Sequence, residues 1–329
     1  MTDSKKILIT GGAGFIGSNL VEYFLFKGHS VRVLDNFLTG KPSNIADFYS
    51  HPQFELITGD IRDYSTCERA VKGMEIVLHQ AALGSVPRSI NDPLTTNEIN
   101  VSGFLNVLQS AHREGIRRFV YAASSSTYGD SKELPKVEEN IGKPLSPYAV
   151  TKYVNELYAG VFHQLYGMEI IGLRYFNVFG KNQDPNGAYA AAIPKFIQLM
   201  LNKQSPEIYG DGNNSRDFTY IKNVIQANEK AAFTSESNAF GEVFNVAYGE
   251  RTTLNDLIGN LKSILQHYQP DVAHLSPVYK SERVGEIPHS LASIDKAKQV
   301  LGYAPEYNLE RGLQEAAEFY VHQWKNTTL

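Results

Sequence analysis

Tyr148 and Lys152 stand four residues apart, directly after Ser146-Pro147. Serine is a good N-cap and proline suits a first helical turn, so the two side chains fall on one helix face, about 6 Å apart along its axis. At that separation an ammonium favours a phenolate by roughly 3 kcal/mol at an effective dielectric near 20, about two pKa units. A tyrosine drawn towards neutrality in this way removes a hydroxyl proton. The same spacing also occurs on solvated helices, so the pair does not stand alone. Ser124-Ser125-Ser126-Thr127-Tyr128-Gly129, a short distance upstream, supplies hydroxyls that could hold a substrate hydroxyl, although a plain polar loop reads the same way.

A second constellation is Thr10-Gly11-Gly12-Ala13-Gly14-Phe15-Ile16-Gly17, between an apolar run and a helical pattern. Glycine permits a sharp strand-to-helix turn and lets a pyrophosphate approach backbone N–H groups at the positive end of the helix dipole. A tight turn without a ligand is the alternative. Asp35 closes the next apolar run about 20 residues on, where an acidic side chain accepts from adenine-ribose hydroxyls and repels a 2′-phosphate. The loop therefore predicts a dinucleotide, and NAD rather than NADP. Asp60-Ile61, after the third run, either flanks the adenine or is ordinary turn chemistry.

The elements that must position these residues alternate. Strands are predicted at Lys6–Thr10, Val31–Asp35, Phe54–Ile57, Ile76–His79, Arg118–Ala122 and Glu169–Tyr175, and helices at Phe15–Lys27, Ser65–Lys72, Pro93–Glu114 and Pro147–Tyr166. Apolar strands linked by amphipathic crossovers predict an α/β fold with an open, doubly wound parallel sheet, whose carboxyl edge binds ligands. After Asn177 the regularity breaks. Residues 1–177 are expected to bind the dinucleotide and 178–329 to form a smaller, mixed α/β substrate-binding part, with some segments able to return to the first. Helices are predicted there at Ala190–Leu201, Ile221–Phe233, Leu254–Gln266 and Leu309–Trp324, and a strand at Val243–Val246. Thr253 is a candidate N-cap, and Pro305 precedes the last helix.

The 329 residues carry 31 Lys+Arg against 35 Asp+Glu, a net charge of −4, which gives no basis for nucleic-acid binding. The apolar stretch Ile7–Val21 is broken by its glycines and does not read as an export signal, and nowhere else do about 18 apolar residues run uncharged, so neither a leader nor a membrane span is expected. Cys67 is the single cysteine, which favours a reducing, cytoplasmic compartment. The nine histidines form no His-x-x-x-His pair, so no metal is expected.

Gly11-x-x-Gly14-x-x-Gly17, the serine cluster ending in Tyr128-Gly129, Tyr148-x-x-x-Lys152 and Arg174-Tyr175-Phe176-Asn177 together resemble the extended short-chain dehydrogenase/reductase family, and within it the nucleotide-sugar 4-epimerases. The resemblance spans nearly the whole chain. Tyr121–Gly129, Asn182–Ala190 and Asp211-Gly212-x-x-Ser215-Arg216-Asp217-Phe218 are most similar to bacterial UDP-N-acetylglucosamine 4-epimerases. It implies a Rossmann sheet, a retained NAD, a UDP-sugar substrate and a homodimer formed through Pro93–Glu114 and Pro147–Tyr166. Tyr148 would take the sugar C4 hydroxyl proton, Lys152 would lower its pKa and hold the nicotinamide ribose, and Ser124 would bind the same hydroxyl. Cofactor contacts would come from Gly11, Gly14, Phe15, Ile16, Gly17, Asp35, Asn36, Asp60, Ile61, Ala81, Ala82, Asn100 and Tyr175. Gly84, Ser85, Ser126, Asn177 and Gln183 would line the sugar pocket, Arg216 and Arg283 would hold the diphosphate, and small Ser290 would leave room for a 2-acetamido group. A 4-epimerase of UDP-hexuronates or UDP-N-acetylhexuronates is the neighbouring alternative. A 4,6-dehydratase fits less well, because the serine cluster lacks its acid/base carboxylates. A non-catalytic NAD sensor is opposed by the intact Tyr148 and Lys152.

Overall fold

A computed structural model describes residues 4–186, 191–282 and 288–328. The first half runs β1 (Lys6–Thr10), α1 (Phe15–Phe26), β2 (Ser30–Asp35), β3 (Phe54–Thr58), α2 (Tyr64–Val71), β4 (Ile76–His79), α3 (Val86–Asn91), α4 (Pro93–Asn97), α5 (Phe104–Glu114), β5 (Arg118–Ser124), α6 (Pro147–Tyr166) and β6 (Glu169–Tyr175). The second half holds β7 (Val178–Phe179), α7 (Ala192–Leu201), β8 (Glu207–Tyr209), β9 (Ser215–Arg216), β10 (Thr219–Tyr220), α8 (Ile221–Phe233), β11 (Val243–Val246), β12 (Thr252–Thr253), α9 (Leu254–Leu265), β13 (Val278–Lys280), α10 (Asp295–Leu301) and α11 (Leu309–Thr328).

Seven strands form one sheet in the order β11-β6-β5-β4-β1-β2-β3, parallel throughout. Helices cover both faces, which is why the strands are apolar at nearly every position rather than alternating with polar residues. Ile7 and Ile9 enter one core and Leu8 the other, as the two-residue period of a strand requires. The order reverses between β1 and β4, the switch point where such sheets open a crevice at their carboxyl edge.

The second half contributes to the main sheet, and one predicted helix is interrupted. The strand at Val243–Val246 lies beyond Asn177 in sequence but pairs with β6, Phe244 opposite Leu173, so the main sheet takes a segment from the second half. Ile193, Phe196 and Leu257 also share a core with Ile7 and Ile9. The expected single helix Pro93–Glu114 is interrupted, because Glu98–Gly103 is π-helical between α4 and α5. A π turn leaves an apolar pattern close to that of an α-helix, so spacing does not reveal it. Asn100 lies in this segment; its Oδ1 accepts from the Leu83 amide at 2.8 Å and its Nδ2 donates to Thr151 Oγ1 at 3.1 Å.

Candidate active site

The glycine turn is dictated by close approach. Gly11 has φ +69°, and a Cβ there would lie 2.8 Å from the Ala81 backbone, while a Cβ on Gly17 would lie 2.1 Å from the Gly11 carbonyl oxygen. Gly14 N-caps α1 with no side-chain bond, so the first-turn N–H groups are left for an anion. A cavity of about 300 Å³ opens here, lined by Gly11, Gly14, Phe15, Ile16, Gly17, Asp35, Asn36, Asp60, Ile61, Ala81 and Ala82. Asp35 accepts from the Ala13 amide at 2.9 Å and the Phe37 amide at 2.8 Å, one on each oxygen, which leaves a lone pair on each for ribose hydroxyls. Burial raises the Asp35 pKa, and the Phe37 and Ala13 amides oppose the rise. Arg62 holds the Asp60 carboxyl down to about 2, and Asn36 Nδ2 donates to Asp60 Oδ2 at 2.8 Å. The uncapped helix end and the ribose-ready carboxylate fit a dinucleotide. Asn100 does not line this cavity but braces its Leu83 wall. Tyr175 touches it through Gln80, whose Oε1 accepts from the Tyr175 hydroxyl at 3.2 Å.

Helix α6 begins as the sequence suggests, with Ser146 Oγ accepting from the Ala149 amide at 3.1 Å and Pro147 in the first turn. The Tyr148 amide, which has no partner within the helix, donates to Ser89 Oγ at 3.0 Å. Ser126 Oγ donates to Ser124 Oγ at 2.9 Å. Burial raises the Tyr148 pKa, and the Ser124 side chain pulls against the rise. The Lys152 ammonium is buried and donates to the Ala122 carbonyl at 2.8 Å. Burial also draws Lys152 down to about 8, opposed by Glu156.

A second cavity of about 300 Å³ gathers Ser124, Ser126, Asn177, Arg216 and Ser290, with Tyr128, Lys136, Ser146 and Phe176. Ser215 joins Arg216 to Ser290: its amide donates to the Pro288 carbonyl at 2.9 Å, and the Ser290 amide donates back to the Ser215 carbonyl at 3.0 Å. Asn177 sits at φ +34°, a left-handed conformation that asparagine tolerates, and its Nδ2 donates to the Asp217 carbonyl at 3.1 Å. Asn177 and Arg216 also line a third cavity of about 290 Å³ with Phe196, Tyr209 and Phe218, so Arg216 stands where two cavities adjoin. Gly84 lines the dinucleotide cavity instead of this one. Ser85 caps α3, its Oγ accepting from the Arg88 amide at 3.2 Å. Gln183 donates to the Val178 carbonyl at 3.1 Å, and its buried Oε1 has no partner among the described residues. Arg283 lies outside the described residues.

The sequence model of the NAD dependent epimerase/dehydratase family matches residues 7–247. The chain belongs to that family. It is 38% identical over 315 residues, 95% of this chain and 97% of the relative, to a putative UDP-glucose 4-epimerase of Methanocaldococcus jannaschii. Among solved structures, the UDP-N-acetylglucosamine 4-epimerase of Methanobrevibacter ruminantium M1, in complex with UDP-N-acetylmuramic acid, is 37% identical with a TM-score of 0.89, the match covering 97% of this chain and 99% of that one. The UDP-glucuronic acid 4-epimerase of Bacillus cereus, in complex with UDP-glucuronic acid and NAD, is 31% identical with a TM-score of 0.86 over 97% of this chain and 99% of that one. NAD-dependent UDP-sugar 4-epimerase chemistry is the activity that the family and these relatives support.

Sequence reasoning missed Gln80, Leu83 and Ile99 in the first cavity and Lys136, Ser146 and Phe176 in the second. Ile99 lies on the π segment, which spacing does not announce. Lys136 lies in a loop with no periodicity.

Proposed function

We propose that the chain is a UDP-N-acetylhexosamine 4-epimerase that interconverts UDP-N-acetylglucosamine and UDP-N-acetylgalactosamine through a 4-keto sugar. The observation that carries this reading is the Ser124 hydroxyl, which lowers the Tyr148 phenol against the effect of burial and also lines the sugar-side cavity. Ser124 holds the C4 hydroxyl, Tyr148 takes its proton, and the Ser126 hydroxyl keeps Ser124 oriented. Bound NAD supplies the acceptor, and then the donor, of the C4 hydride, so no outside redox partner is consumed. Because burial raises the Tyr148 pKa, the phenol is neutral at pH 7 until positive charge is added beside it. Lys152 retains its proton at pH 7 and fixes the end of β5 against α6 through Ala122. Arg216, at the junction of two cavities, is placed to grip a diphosphate by its planar fork, with the sugar on one side and the base among Phe196, Tyr209 and Phe218 on the other. Binding energy drawn from the diphosphate leaves the keto-sugar free to turn over before hydride returns to its opposite face.

Purified protein with NAD bound should convert UDP-N-acetylglucosamine to UDP-N-acetylgalactosamine without added reductant. A folded, NAD-loaded protein that forms no such product removes the assignment. The same reading includes a homodimer. Val150, Leu157, Val161 and Leu165 of α6 and Ile90 and Leu94 beside it are exposed, Leu165 by 68%, and a second copy would cover them. Leu157→Asp with Leu165→Asp should halve the mass seen by light scattering; an unchanged mass would place the contact elsewhere.

A further inference from the structure

Ser89 is fully buried on α3, and its hydroxyl is engaged on both sides: it donates to the Val86 carbonyl at 2.7 Å and accepts from the Tyr148 amide at 3.0 Å. The first turn of α6 shows why that acceptor matters. A helix leaves its first amides without partners inside the helix. Pro147 has no N–H, Ser146 Oγ takes the Ala149 amide, and the Ser146 carbonyl takes the Val150 amide at 3.0 Å. The Tyr148 amide is therefore the donor of that turn that another segment must meet, and Ser89 meets it. A buried amide left without an acceptor is costly, so the turn would shift to find one.

The segment that delivers Ser89 runs past both cavities. Residues 81–84 wall the dinucleotide cavity, Ser85 caps α3, and Val86 lines the sugar-side cavity. Helix α3 packs on α6, and the two bonds of the Ser89 hydroxyl tie the Val86 carbonyl to the backbone of the residue whose phenol takes the proton. That phenol stands at the far end of its side chain, so a small rotation of the first turn is amplified at the reacting oxygen. We propose that Ser89 is a positioning residue, which sets the reach of the Tyr148 phenol to the sugar C4 hydroxyl by holding the Tyr148 amide. It exchanges no proton itself, because its hydroxyl hydrogen is occupied by Val86. The role rests on the 4-epimerase reading above and names what holds its proton acceptor in place.

The test measures kcat and KM for UDP-N-acetylglucosamine in the NAD-loaded wild type, Ser89→Ala, Ser89→Cys, Tyr148→Phe and the double variant that joins Ser89→Ala to Tyr148→Phe. Cysteine nearly fills the volume of serine, but its sulfur is a weak acceptor. NAD content and melting temperature report folding. In both single Ser89 variants kcat should fall roughly 10- to 100-fold, the cost of a slightly misplaced catalytic group, with KM close to that of the wild type. In the Tyr148→Phe background Ser89→Ala should take away nothing further, because the group it positions is already gone. An equal fall in both backgrounds would mark a general loosening of the fold and overturn the proposal. Full activity in Ser89→Cys would overturn it too, since volume rather than the acceptor would then matter. Wild-type kcat in Ser89→Ala sinks this role alone, whereas a wild type without turnover sinks the epimerase reading and this role with it.

Discussion

The dinucleotide cradle and the sugar-side cavity share the carboxyl edge of one sheet but are built on opposite principles. The cradle is mainly backbone: Gly11, Gly14 and Gly17 at the end of β1, and Ala81–Gly84 at the end of β4, within the first hundred residues. The sugar cavity is made of side chains from distant segments, Ser124 and Ser126, Lys136, Asn177, Arg216 and Ser290. A backbone cradle constrains residue type strongly at positions 11 and 17, where only glycine fits, whereas converging side chains constrain it only through contacts between distant segments. The first is therefore readable in the sequence, and the second is not.

The comparison predicts that the two regions fail separately. Tyr148→Phe removes the proton acceptor and leaves the cradle intact, so turnover should fall by about 10²–10⁴-fold while the protein still copurifies with NAD. Loss of NAD in that variant would show that the regions are not independent.

On the sugar side, Asp217 is fully buried beside Arg216 and accepts from the Tyr248, Gly249 and Ala292 amides at 3.2 Å or slightly more. Burial pushes its carboxyl up to about 7, the three amides pull it down, and Glu250 adds to the rise. A raised folded-state value means that the folded chain holds a proton which the unfolded chain releases near pH 4. The stability this confers is complete below pH 4 and lost as pH climbs through 7, by at most about 4 kcal/mol. Asp217→Asn does not titrate, so its urea midpoint should gain on the wild type between pH 4.5 and 8. A gap that does not change with pH would show that the carboxyl titrates normally. Since Asp217 braces the loops around Arg216 and Ser290, the variant should raise KM for the UDP-sugar and leave NAD retention unchanged.

Gly17→Ala is the smallest change and confines itself to the cradle. Its Cβ meets the Gly11 carbonyl and the Gly12 Cα, both backbone, so the turn must shift, at about 1–3 kcal/mol. NAD should dissociate during purification, and saturating added NAD should restore much of the turnover. Retention of NAD equal to the wild type would mean that the turn does not hold the pyrophosphate.

The same contrast explains what was legible. The strands β1 to β6, the glycine turn and Asp35 follow from apolar runs and from glycine's steric freedom, which act within a few residues. Ser124 belongs to the serine run that closes β5, and Tyr148 and its helix follow from capping and spacing. The direction of Lys152 did not, because four residues fix the rise along a helix but not which acceptor a long side chain finds. The π segment around Asn100, the bridge from Ser215 to Ser290 and the place of Lys136 arise from tertiary contacts between distant segments and leave no periodic mark. Glycine at position 84 is a further case: no atom lies within 4 Å of a Cβ built there, so packing does not demand it.

The central claim is that C4 is oxidised and re-reduced inside one closed site. Epimerisation of UDP-N-acetylglucosamine carrying deuterium at C4, run in ordinary water and followed by mass spectrometry and proton NMR of the product, tests it most directly. The account predicts UDP-N-acetylgalactosamine with the deuterium still on C4. Protium at that carbon would show exchange with solvent and contradict it.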